Sequence, residues 1–511
     1  MGRAGTIPLR PVAGSWRCGP GGRGGVPGWC GSHRPASRHG RGPAVCELRA
    51  GFRGGAPGGA GAIAGRPGVA GGAVTRRVRI LLGIHLGLVV LLVSWVAYWQ
   101  VVRGPELAVH PGNPRLLLAE ERIQRGRVLD RKARVLAYSV RRDGRTLRVY
   151  PGGEVFSHPV GYRSLLLGKA GLEATWDAEL LGVFERRAWE QLRRRGGRPP
   201  VGLDVVTTLD AELQRASWEA LGPRPGAVVV VELRTGQVLA SVSRPGFDPN
   251  RLEQRWAELR WAPGSPLVDR ASSKVYPPGR TFGIVVLSAA LSRGLVGLDS
   301  PVGCGNAAAV PAHLVREVLT AGCTQGLVRL GEALGGRILR EMAEAFGLGQ
   351  PPTGDVPAAA GQLPEVGDQL RDDLTHVVAG GGRVLASPLQ MAAVAATLGR
   401  GGERVELRFV QRVQHAEGRA LERTFQRAPV RILAVEVAQA VVEAMRASGG
   451  GLLAGVRGTV RVGPAPVGWF VALTPTDLPR LALAVVVEGA GEEVAWAVAG
   501  KVAQATLRVV P

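Results

Sequence analysis

Lysine is very scarce in this chain of 511 residues. Lysine and arginine together number 64, but only Lys132, Lys169, Lys274 and Lys501 are lysines. A mechanism that uses a lysine as general base therefore has few candidate residues. Arginine cannot take that role, because its guanidinium group stays protonated near neutral pH.

Cysteine is also rare, with five residues in the chain. Three of them (Cys18, Cys30 and Cys46) lie in an irregular N-terminal region, which excludes a disulfide scaffold. The sequence has no C-x-x-C motif and no cluster of His and Cys, so we predict no metal and no cofactor. Cys304 and Cys323 either pair in an oxidising compartment or remain two small buried thiols.

Hydrophobic periodicity is absent from about the first 73 residues, which are mostly Gly, Arg, Pro and Ala. Such a composition buries too little apolar surface to offset the entropy of ordering the chain. We predict that residues 1–75 form a disordered cytoplasmic extension, or the product of a start site assigned too early, with Val74 as the true start. Binding to nucleic acid or to lipid headgroups is the less favoured interpretation of its arginines, and we expect no nucleic-acid partner.

One long hydrophobic run is present, over residues 80–102. At about 1.5 Å per residue it spans the hydrocarbon core of a bilayer, so it predicts a transmembrane helix. A cleaved signal peptide is the competing interpretation, but no small-x-small cleavage motif follows the run. The positive-inside rule places the N-terminus in the cytoplasm and the rest of the chain outside, since basic residues precede the run and aromatic residues close it: Arg76, Arg77, Arg79, Trp95, Tyr98 and Trp99.

Beyond residue 103 the pattern predicts an α+β fold in two parts, a β-rich domain over residues 103–203 and a larger domain over residues 204–511. In the larger domain Asp210 caps a helix over residues 211–221, and two β-branched runs around a glycine turn, residues 227–233 and 237–243, predict a hairpin. Further helices are predicted over residues 282–291, 315–346, 388–398 and 493–507, and strands over residues 468–473 and 481–488. This order indicates one antiparallel sheet covered by helices from both ends of the domain.

Several short motifs follow one another along the chain: Arg125-Gly126-Arg127-Val128-Leu129-Asp130-Arg131, Thr208-Leu209-Asp210, Ser243-Arg244-Pro245-Gly246-Phe247-Asp248-Pro249-Asn250, Tyr276-Pro277-Pro278-Gly279, Gly382-Arg383-Val384-Leu385-Ala386-Ser387-Pro388 and Trp469-Phe470-Val471. Together they resemble the class B penicillin-binding proteins, most closely the actinobacterial penicillin-binding protein A type. The resemblance implies a single-pass membrane protein with a non-catalytic pedestal domain over residues 103–203. It also implies a serine β-lactamase-like D,D-transpeptidase domain over residues 204–511, and a multi-spanning glycan polymerase as partner.

The chemistry of that family needs the motifs S-x-x-K, S-x-N and K-T-G. In the first motif the serine attacks the D-Ala-D-Ala carbonyl, and the lysine one helical turn later activates it. After Tyr276-Pro277-Pro278-Gly279 this chain has Arg280 at the serine position and Gly283 at the lysine position. No S-x-x-K sequence occurs anywhere in the chain.

The other two motifs are also altered. The second falls on Gly322-Cys323-Thr324, where Gly322 and Thr324 replace the serine and the asparagine. The third falls on Val456-Arg457-Gly458-Thr459, just before the strand predicted at Trp469, with Val456 in place of lysine. Arg457, Gly458 and Thr459 are candidates for holding an anion. Cys323 is the one remaining nucleophile candidate, although a buried structural thiol is the favoured interpretation.

Three functions remain as hypotheses. The first is a catalytically inactive homologue that serves the peptidoglycan machinery as a scaffold or regulator, because loss of the nucleophile alone costs about six orders of magnitude in turnover. The second is an active transpeptidase and β-lactam target whose chemistry has moved to other residues. The third is a non-covalent sensor of peptidoglycan stem peptides or β-lactams, in which Arg280 and Arg457 grip the terminal carboxylate.

Overall fold

The computed structural model describes residues 71–103, 123–142, 145–182, 202–304, 313–365, 376, 382–404, 406–421, 428–446 and 451–509. Residues 1–70 of the extension that was predicted to be disordered lie outside the described residues. Its last five residues, 71–75, belong to the first helix.

The described residues form both helices and strands. The helices are α1 (Gly71–Ala97), α2 (Ser157–Val160), α3 (Gly171–Thr175), α4 (Asp177–Leu181), α5 (Ala211–Leu221), α6 (Leu252–Trp261), α7 (Gly283–Ser292), α8 (Thr324–Ala345), α9 (Pro388–Gly399), α10 (Val435–Arg446) and α11 (Glu492–Val509). The strands are β1 (Val128–Leu129), β2 (Val135–Arg142), β3 (Arg145–Val149), β4 (Tyr162–Ser164), β5 (Gly168–Ala170), β6 (Asp204–Thr207), β7 (Gly226–Glu232), β8 (Val238–Arg244), β9 (Pro301–Val302), β10 (His313–Leu314), β11 (Glu403–Arg404), β12 (Val410–Gln414), β13 (Ala420–Leu421), β14 (Val430–Arg431), β15 (Ala454–Val462), β16 (Ala465–Thr474) and β17 (Leu481–Glu488).

The first helix, α1, is long and apolar enough to cross a membrane. It continues as a π-helix over Tyr98–Val102, and the span Thr75–Val102 has a mean hydropathy of 2.5. Its described side chains are exposed, as expected for a helix whose apolar surface faces lipid. The membrane span predicted over residues 80–102 lies within this helix.

A six-stranded sheet in the order β13-β12-β6-β1-β2-β3 forms the first part of the body. Strand β1 pairs in parallel with β6, so the sheet extends across the predicted domain boundary at residue 203. The first motif has a glycine at position 126 because the backbone at Leu203 passes very close to it. A Cβ atom on Gly126 would lie 1.8 Å from the carbonyl oxygen of Leu203, and no side chain fits there.

A buried ion cluster joins this sheet to the short helices beside it. The Glu173 carboxylate accepts hydrogen bonds from Arg125 Nη2 at 2.9 Å and from Arg148 Nε at 2.6 Å. Arg125 Nη1 also donates to Asp177 Oδ1 at 2.5 Å. Burial raises the pKa of the Glu173 carboxyl, but the two arginines outweigh that effect and hold this pKa below its ordinary value. The cluster therefore keeps its charges in the folded protein.

The second part of the body is built on a five-stranded sheet in the order β15-β16-β17-β7-β8, antiparallel throughout. Alternate residues of β16 face opposite cores. Phe470 belongs to the core with α5 and α11, whereas Trp469 and Val471 belong to the core with α7, α9 and α10. The predicted antiparallel sheet covered by helices from both ends of the domain is confirmed.

Two elements differ from the sequence-based expectation. The residues Val456-Arg457-Gly458-Thr459 precede the strand at Trp469, as predicted, but they lie in a strand of their own, β15, which was not predicted. Two glycines and two arginines in β15 hide the alternating pattern of a strand, which explains the error. The helix predicted over residues 315–346 is a single 3₁₀ turn, Val315–Glu317, followed by α8, because the positive φ of Gly322 (71°) separates them.

One motif residue ties the two parts of the body together. Asn250 Oδ1 accepts a hydrogen bond from the Tyr150 amide at 2.9 Å, and Asn250 Nδ2 donates to the Tyr150 carbonyl oxygen at 2.9 Å. The amide side chain thus completes a pair of hydrogen bonds with the backbone of the first sheet's flanking loop, as a second strand would.

Candidate active-site cleft

The Tyr276-Pro277-Pro278-Gly279 loop is fixed from both sides. Tyr276 and Ala386 exchange two backbone hydrogen bonds of 2.9 Å, which join the loop to the motif before α9. Trp469 Nε1 donates to the Pro277 carbonyl oxygen at 2.9 Å. The loop therefore delivers the next residues, the 3₁₀ turn Gly279–Phe282, to one defined place at the start of α7.

A charged cluster holds the base of the same loop. Glu488 Oε1, at the end of β17, accepts hydrogen bonds from Arg270 Nε (2.8 Å), Lys274 Nζ (2.8 Å) and Tyr276 Oη (2.7 Å). Burial raises the pKa of the Glu488 carboxyl, but these donors outweigh that effect and lower it overall. Burial also raises the pKa of the Tyr276 hydroxyl, which stays protonated and serves as a donor. The cluster is a support for the loop.

Arg280, which the sequence assigns to the serine position of the family motif, lies in the 3₁₀ turn Gly279–Phe282. Its Nε donates to the Arg457 carbonyl oxygen at 2.8 Å, and its Nη2 donates to Glu492 Oε1 at 3.0 Å. The guanidinium group therefore bridges the 3₁₀ turn, β15 and α11. Because arginine carries only donors and no ionisable group near neutral pH, this side chain can bind an anion but cannot attack a carbonyl.

Gly283, which the sequence assigns to the lysine position, begins α7, and leucine side chains fill the space around it. A Cβ atom there would lie 2.6 Å from Leu327 Cδ1 and 3.1 Å from Leu319 Cδ2. Both leucines are buried. The glycine thus allows α8 to pack closely against α7, and no room remains for a base.

The second motif lies directly beside Arg280. A Cβ atom on Gly322 would be 2.9 Å from Arg280 Nη1, so a serine at this position would need the arginine to move. Thr324 is the first residue of α8, and its amide donates to the Gly322 carbonyl oxygen at 2.8 Å.

Cys323 and Cys304 form a disulfide bond, with their Cα atoms 5.3 Å apart. The open question about these two cysteines is thereby decided in favour of pairing. As a disulfide sulfur, Cys323 has no thiolate to offer, and it is removed as a nucleophile candidate. The bond fixes the loop that carries the second motif.

The third motif lies on β15, the outermost strand of its sheet. Val456 is fully buried opposite Val471, in the place where the family has a lysine. Gly458 lies against Arg280, since a Cβ atom on Gly458 would be 3.3 Å from the backbone nitrogen of Arg280. The structure thus brings Arg280, Gly322 and Gly458 to one point, while Val456 turns away into the core.

Of the three anion-binding candidates on β15, Arg457 and Thr459 contact the first turn of α11. Arg457 Nη1 lies 3.2 Å from both carboxylate oxygens of Glu493, and its guanidinium carbon lies 5.5 Å from the centre of the Trp496 ring. Thr459 Oγ1 accepts from the Glu492 amide at 2.9 Å and donates to Glu492 Oε2 at 3.3 Å. Each candidate therefore already has an internal carboxylate as its partner.

Three functional residues were missed from the sequence: Glu492, Glu493 and Leu327. A pair of acids in the first turn of a helix was the available signal for the glutamates, because the helix dipole favours negative charge there. Nothing in the sequence indicated that these acids meet β15. Among the residues that the structure describes, no group of three or more His, Cys, Asp or Glu side chains is placed to hold a metal ion.

Comparison with known proteins agrees with this architecture. Residues 226–508 match the family model of the penicillin binding protein transpeptidase domain, and residues 125–205 match that of the penicillin binding protein A dimerisation domain. The peptidoglycan D,D-transpeptidase PbpA of Mycolicibacterium smegmatis is 32% identical over 488 residues, which cover 84% of this chain and 97% of that protein. PbpA of Mycobacterium tuberculosis is 32% identical over 462 residues, covering 80% of this chain and 92% of that protein.

Solved structures show the same similarity. The imipenem acyl-enzyme complex of penicillin-binding protein A from M. tuberculosis superposes with a TM-score of 0.69 at 31% identity, covering 76% of this chain and 100% of that one. A D,D-transpeptidase domain from Eggerthella lenta gives a TM-score of 0.64 at 27% identity, covering 76% of this chain and 99% of that one. This chain belongs to the class B penicillin-binding proteins of the penicillin-binding protein A type, in the D,D-transpeptidase family of the peptidoglycan synthesis machinery.

Proposed function

We propose that this chain is a catalytically inactive, membrane-anchored penicillin-binding protein that serves peptidoglycan synthesis as a scaffold or regulator. The observation that carries the proposal is the position of Arg280. Its side chain is held between the Arg457 carbonyl oxygen and Glu492 where the family places its nucleophile. An arginine fixed in this way supplies neither an attacking oxygen nor a proton acceptor.

The surroundings of Arg280 support the same conclusion. Leu327 fills the space beside Gly283 that a base would need, and Val456 is buried in the core. Loss of the nucleophile alone lowers turnover by about six orders of magnitude. Because the base is absent as well, no remaining group can compensate for that loss. The remaining donors, Arg457 and Thr459, bind carboxylates but do no chemistry alone.

The test is covalent labelling of the purified full chain with a fluorescent penicillin, followed by a denaturing gel. We expect no labelled band. Penicillin-binding protein A of M. tuberculosis is the positive control, since its structure has been solved as a penicillin G acyl-enzyme complex. A labelled band that survives denaturation would overturn the proposal.

An active transpeptidase is the second candidate, and the names of the relatives favour it. Proteins 32% identical to this chain are named peptidoglycan D,D-transpeptidases. In that case the chemistry uses residues outside the three motif positions, and the labelled peptide after proteolysis would identify them. With Cys323 in a disulfide bond, the three motif positions offer no free thiol as nucleophile.

For the location we propose that the body lies on the extracytoplasmic side of the membrane. Two observations support this orientation. Basic residues precede α1 and aromatic residues end it, as in helices with a cytoplasmic N-terminus. The Cys304–Cys323 disulfide is of a kind that persists in oxidising compartments. Protease added to intact cells should digest the body, and complete protection in intact but not permeabilised cells would contradict the orientation.

As partner we propose a multi-spanning glycan polymerase that contacts α1 and the pedestal domain. The support is the match of residues 125–205 to a dimerisation domain, together with a lipid-facing helix. We expect the full chain to change the rate of glycan polymerisation by such an enzyme in mixed micelles. A chain in which residues 80–102 are replaced by an unrelated membrane helix is the control, and equal rates with both chains would contradict the proposal.

A further inference from the structure

The 3₁₀ turn Gly279–Phe282, β15 and the start of α11 meet at one place, which we call the cleft, and a carboxylate of the chain itself lies there. Glu492 Oε1 lies 3.0 Å from Arg280 Nη2, and Glu492 Oε2 lies 3.3 Å from Thr459 Oγ1. These are a cation and a hydroxyl donor converging on one acid, the arrangement that proteins use for the carboxylate of a ligand. Next to it Arg457 faces Glu493 in the same way.

The edge of β15 is blocked at the same point. In the part of the chain that the structure describes, β15 is the outermost strand of its sheet, and an extended peptide could add to its outer edge by main-chain hydrogen bonds. Arg280 Nε already donates to the Arg457 carbonyl oxygen on that edge, at 2.8 Å. One side chain thus covers the strand edge and holds the internal carboxylate.

We propose that Glu492 is a built-in ligand that closes a latent binding site for an extended peptide with a free terminal carboxylate. The site consists of Arg280, Arg457, Thr459 and the edge of β15. This inference rests on the proposed function, because a cleft that acylated its substrate would have to be open. The Glu492 carboxylate competes with the terminal carboxylate of a peptide. A peptide therefore binds only to those molecules in which Glu492 has moved away, and its apparent affinity is lowered in proportion to their fraction.

The contact between Glu492 and Arg280 can open and close, because both side chains lie near the surface. The side chains of Arg280 and Glu492 are 19% and 25% exposed, so water reaches the pair from outside. Glu492 starts α11 and belongs to neither hydrophobic core of the domain. Neutralising Glu492 therefore opens the site without removing any core packing.

The experiment is titration calorimetry of the full chain with an acetylated peptide ending in D-Ala-D-Ala. If the closed form exceeds about 90% of molecules, Glu492→Gln raises the affinity at least about tenfold over the unsubstituted chain. The gain should vanish for the same peptide with an amidated C-terminus and in the Glu492→Gln, Arg457→Ala double variant. Glu341→Gln is the matched control, since Glu341 lies in surface ion pairs with Arg293 and Arg337.

Two outcomes would overturn the inference. One is equal binding by the unsubstituted chain and the Glu492→Gln variant; the other is no binding by a folded Glu492→Gln variant. If that variant does not fold, Glu492→Asp replaces it, because the shorter side chain retracts its carboxylate from Arg280, and it should give a smaller gain. Penicillin labelling of the unsubstituted chain tests the proposed function separately, so failure of the closure and failure of the inactivity are distinguishable.

Discussion

Two arginine–glutamate clusters in this chain have similar composition and very different surroundings. In the pedestal, Glu173 is fully buried between Arg125 and Arg148, and neither arginine is more than 2% exposed. In the cleft, Arg280 and Glu492 meet where water still reaches both side chains. A buried charge that loses its partner is strongly destabilising, whereas a solvated pair separates at little cost. We therefore expect the first cluster to stabilise the fold, and the second is the pair that we propose regulates access to the edge of β15.

The largest effect is expected from breaking the pedestal cluster. Glu173→Gln leaves two buried guanidinium groups without their carboxylate, which should lower the free energy of unfolding by about 3–5 kcal/mol. Urea denaturation followed by circular dichroism measures the loss. Glu212→Gln is the control, because Glu212 pairs with Lys132 and Arg134 at the surface, where loss of the pair should change the free energy of unfolding very little. Equal losses in the two variants would remove the contrast between buried and exposed clusters.

Acid should act on the pedestal cluster in a defined direction. The folded-state pKa of Glu173 lies below its ordinary value of 4.5, because Arg148 and Arg125 outweigh the effect of burial. The stability it contributes is therefore fully present above about pH 4.5 and is lost as the pH falls through the folded-state pKa. The Glu488 carboxyl adds a change of the same sign. Unfolding free energies measured from pH 6 to pH 3 should fall less steeply in Glu173→Gln, and an unchanged slope would contradict this assignment.

The disulfide gives the next effect. Cys304 and Cys323 are separated by 19 residues, and a bond that closes a loop of this length stabilises the fold by about 3 kcal/mol through the unfolded state. The double variant Cys304→Ser, Cys323→Ser should lose that amount in thermal unfolding. Cys46→Ser is the control because its thiol lies far outside this loop in sequence. If reduction of the unsubstituted chain leaves its melting temperature unchanged, the loop is held by packing alone.

A smaller effect is expected at Gly283. A lysine there forces Leu327 and Leu319 apart and should cost about 1–3 kcal/mol by overpacking. The combination with Leu327→Ala should recover part of the loss relative to the sum of the two single variants, which thermal unfolding can measure. Strictly additive losses would show that Gly283 and Leu327 do not compete for the same space.

The smallest effect belongs to the outer cleft pair. Glu493→Gln removes the partner of Arg457, but the Glu493 side chain is 71% exposed, so the unfolding free energy should change by under about 1 kcal/mol. A loss above about 2 kcal/mol in urea denaturation would place this pair with the buried cluster and would weaken the division between fold and access.

The sequence was sufficient for the framework and insufficient for the cleft. The β-branched runs of β7 and β17 and the aspartate that caps α5 follow local rules, and each was predicted close to its observed bounds. The hydrophobic run over residues 80–102 was also recognised, although the helix that contains it begins earlier, at Gly71. The contact between Arg280 and Glu492 joins residues 212 positions apart, and no local pattern encodes it. Strand β15 was missed because its glycines and arginines serve the cleft and interrupt its alternation.

The altered motif positions nevertheless form a coherent set in space. Gly322 makes room for the Arg280 guanidinium, Gly458 lets β15 approach its backbone, and Gly283 admits Leu327. Each small residue accommodates a larger neighbour. Such complementary packing is what a folded, maintained protein requires, and it fits a cleft adapted to be closed.

The central claim is that this fold no longer carries out acyl transfer. The most direct measurement is release of D-alanine from an acetylated peptide ending in D-Ala-D-Ala, with the full chain in detergent and the M. smegmatis relative as control. We expect D-alanine to be released no faster than from the peptide without protein, both with the unsubstituted chain and with Glu492→Gln. Release above that rate by the unsubstituted chain, in proportion to its concentration, would contradict the account.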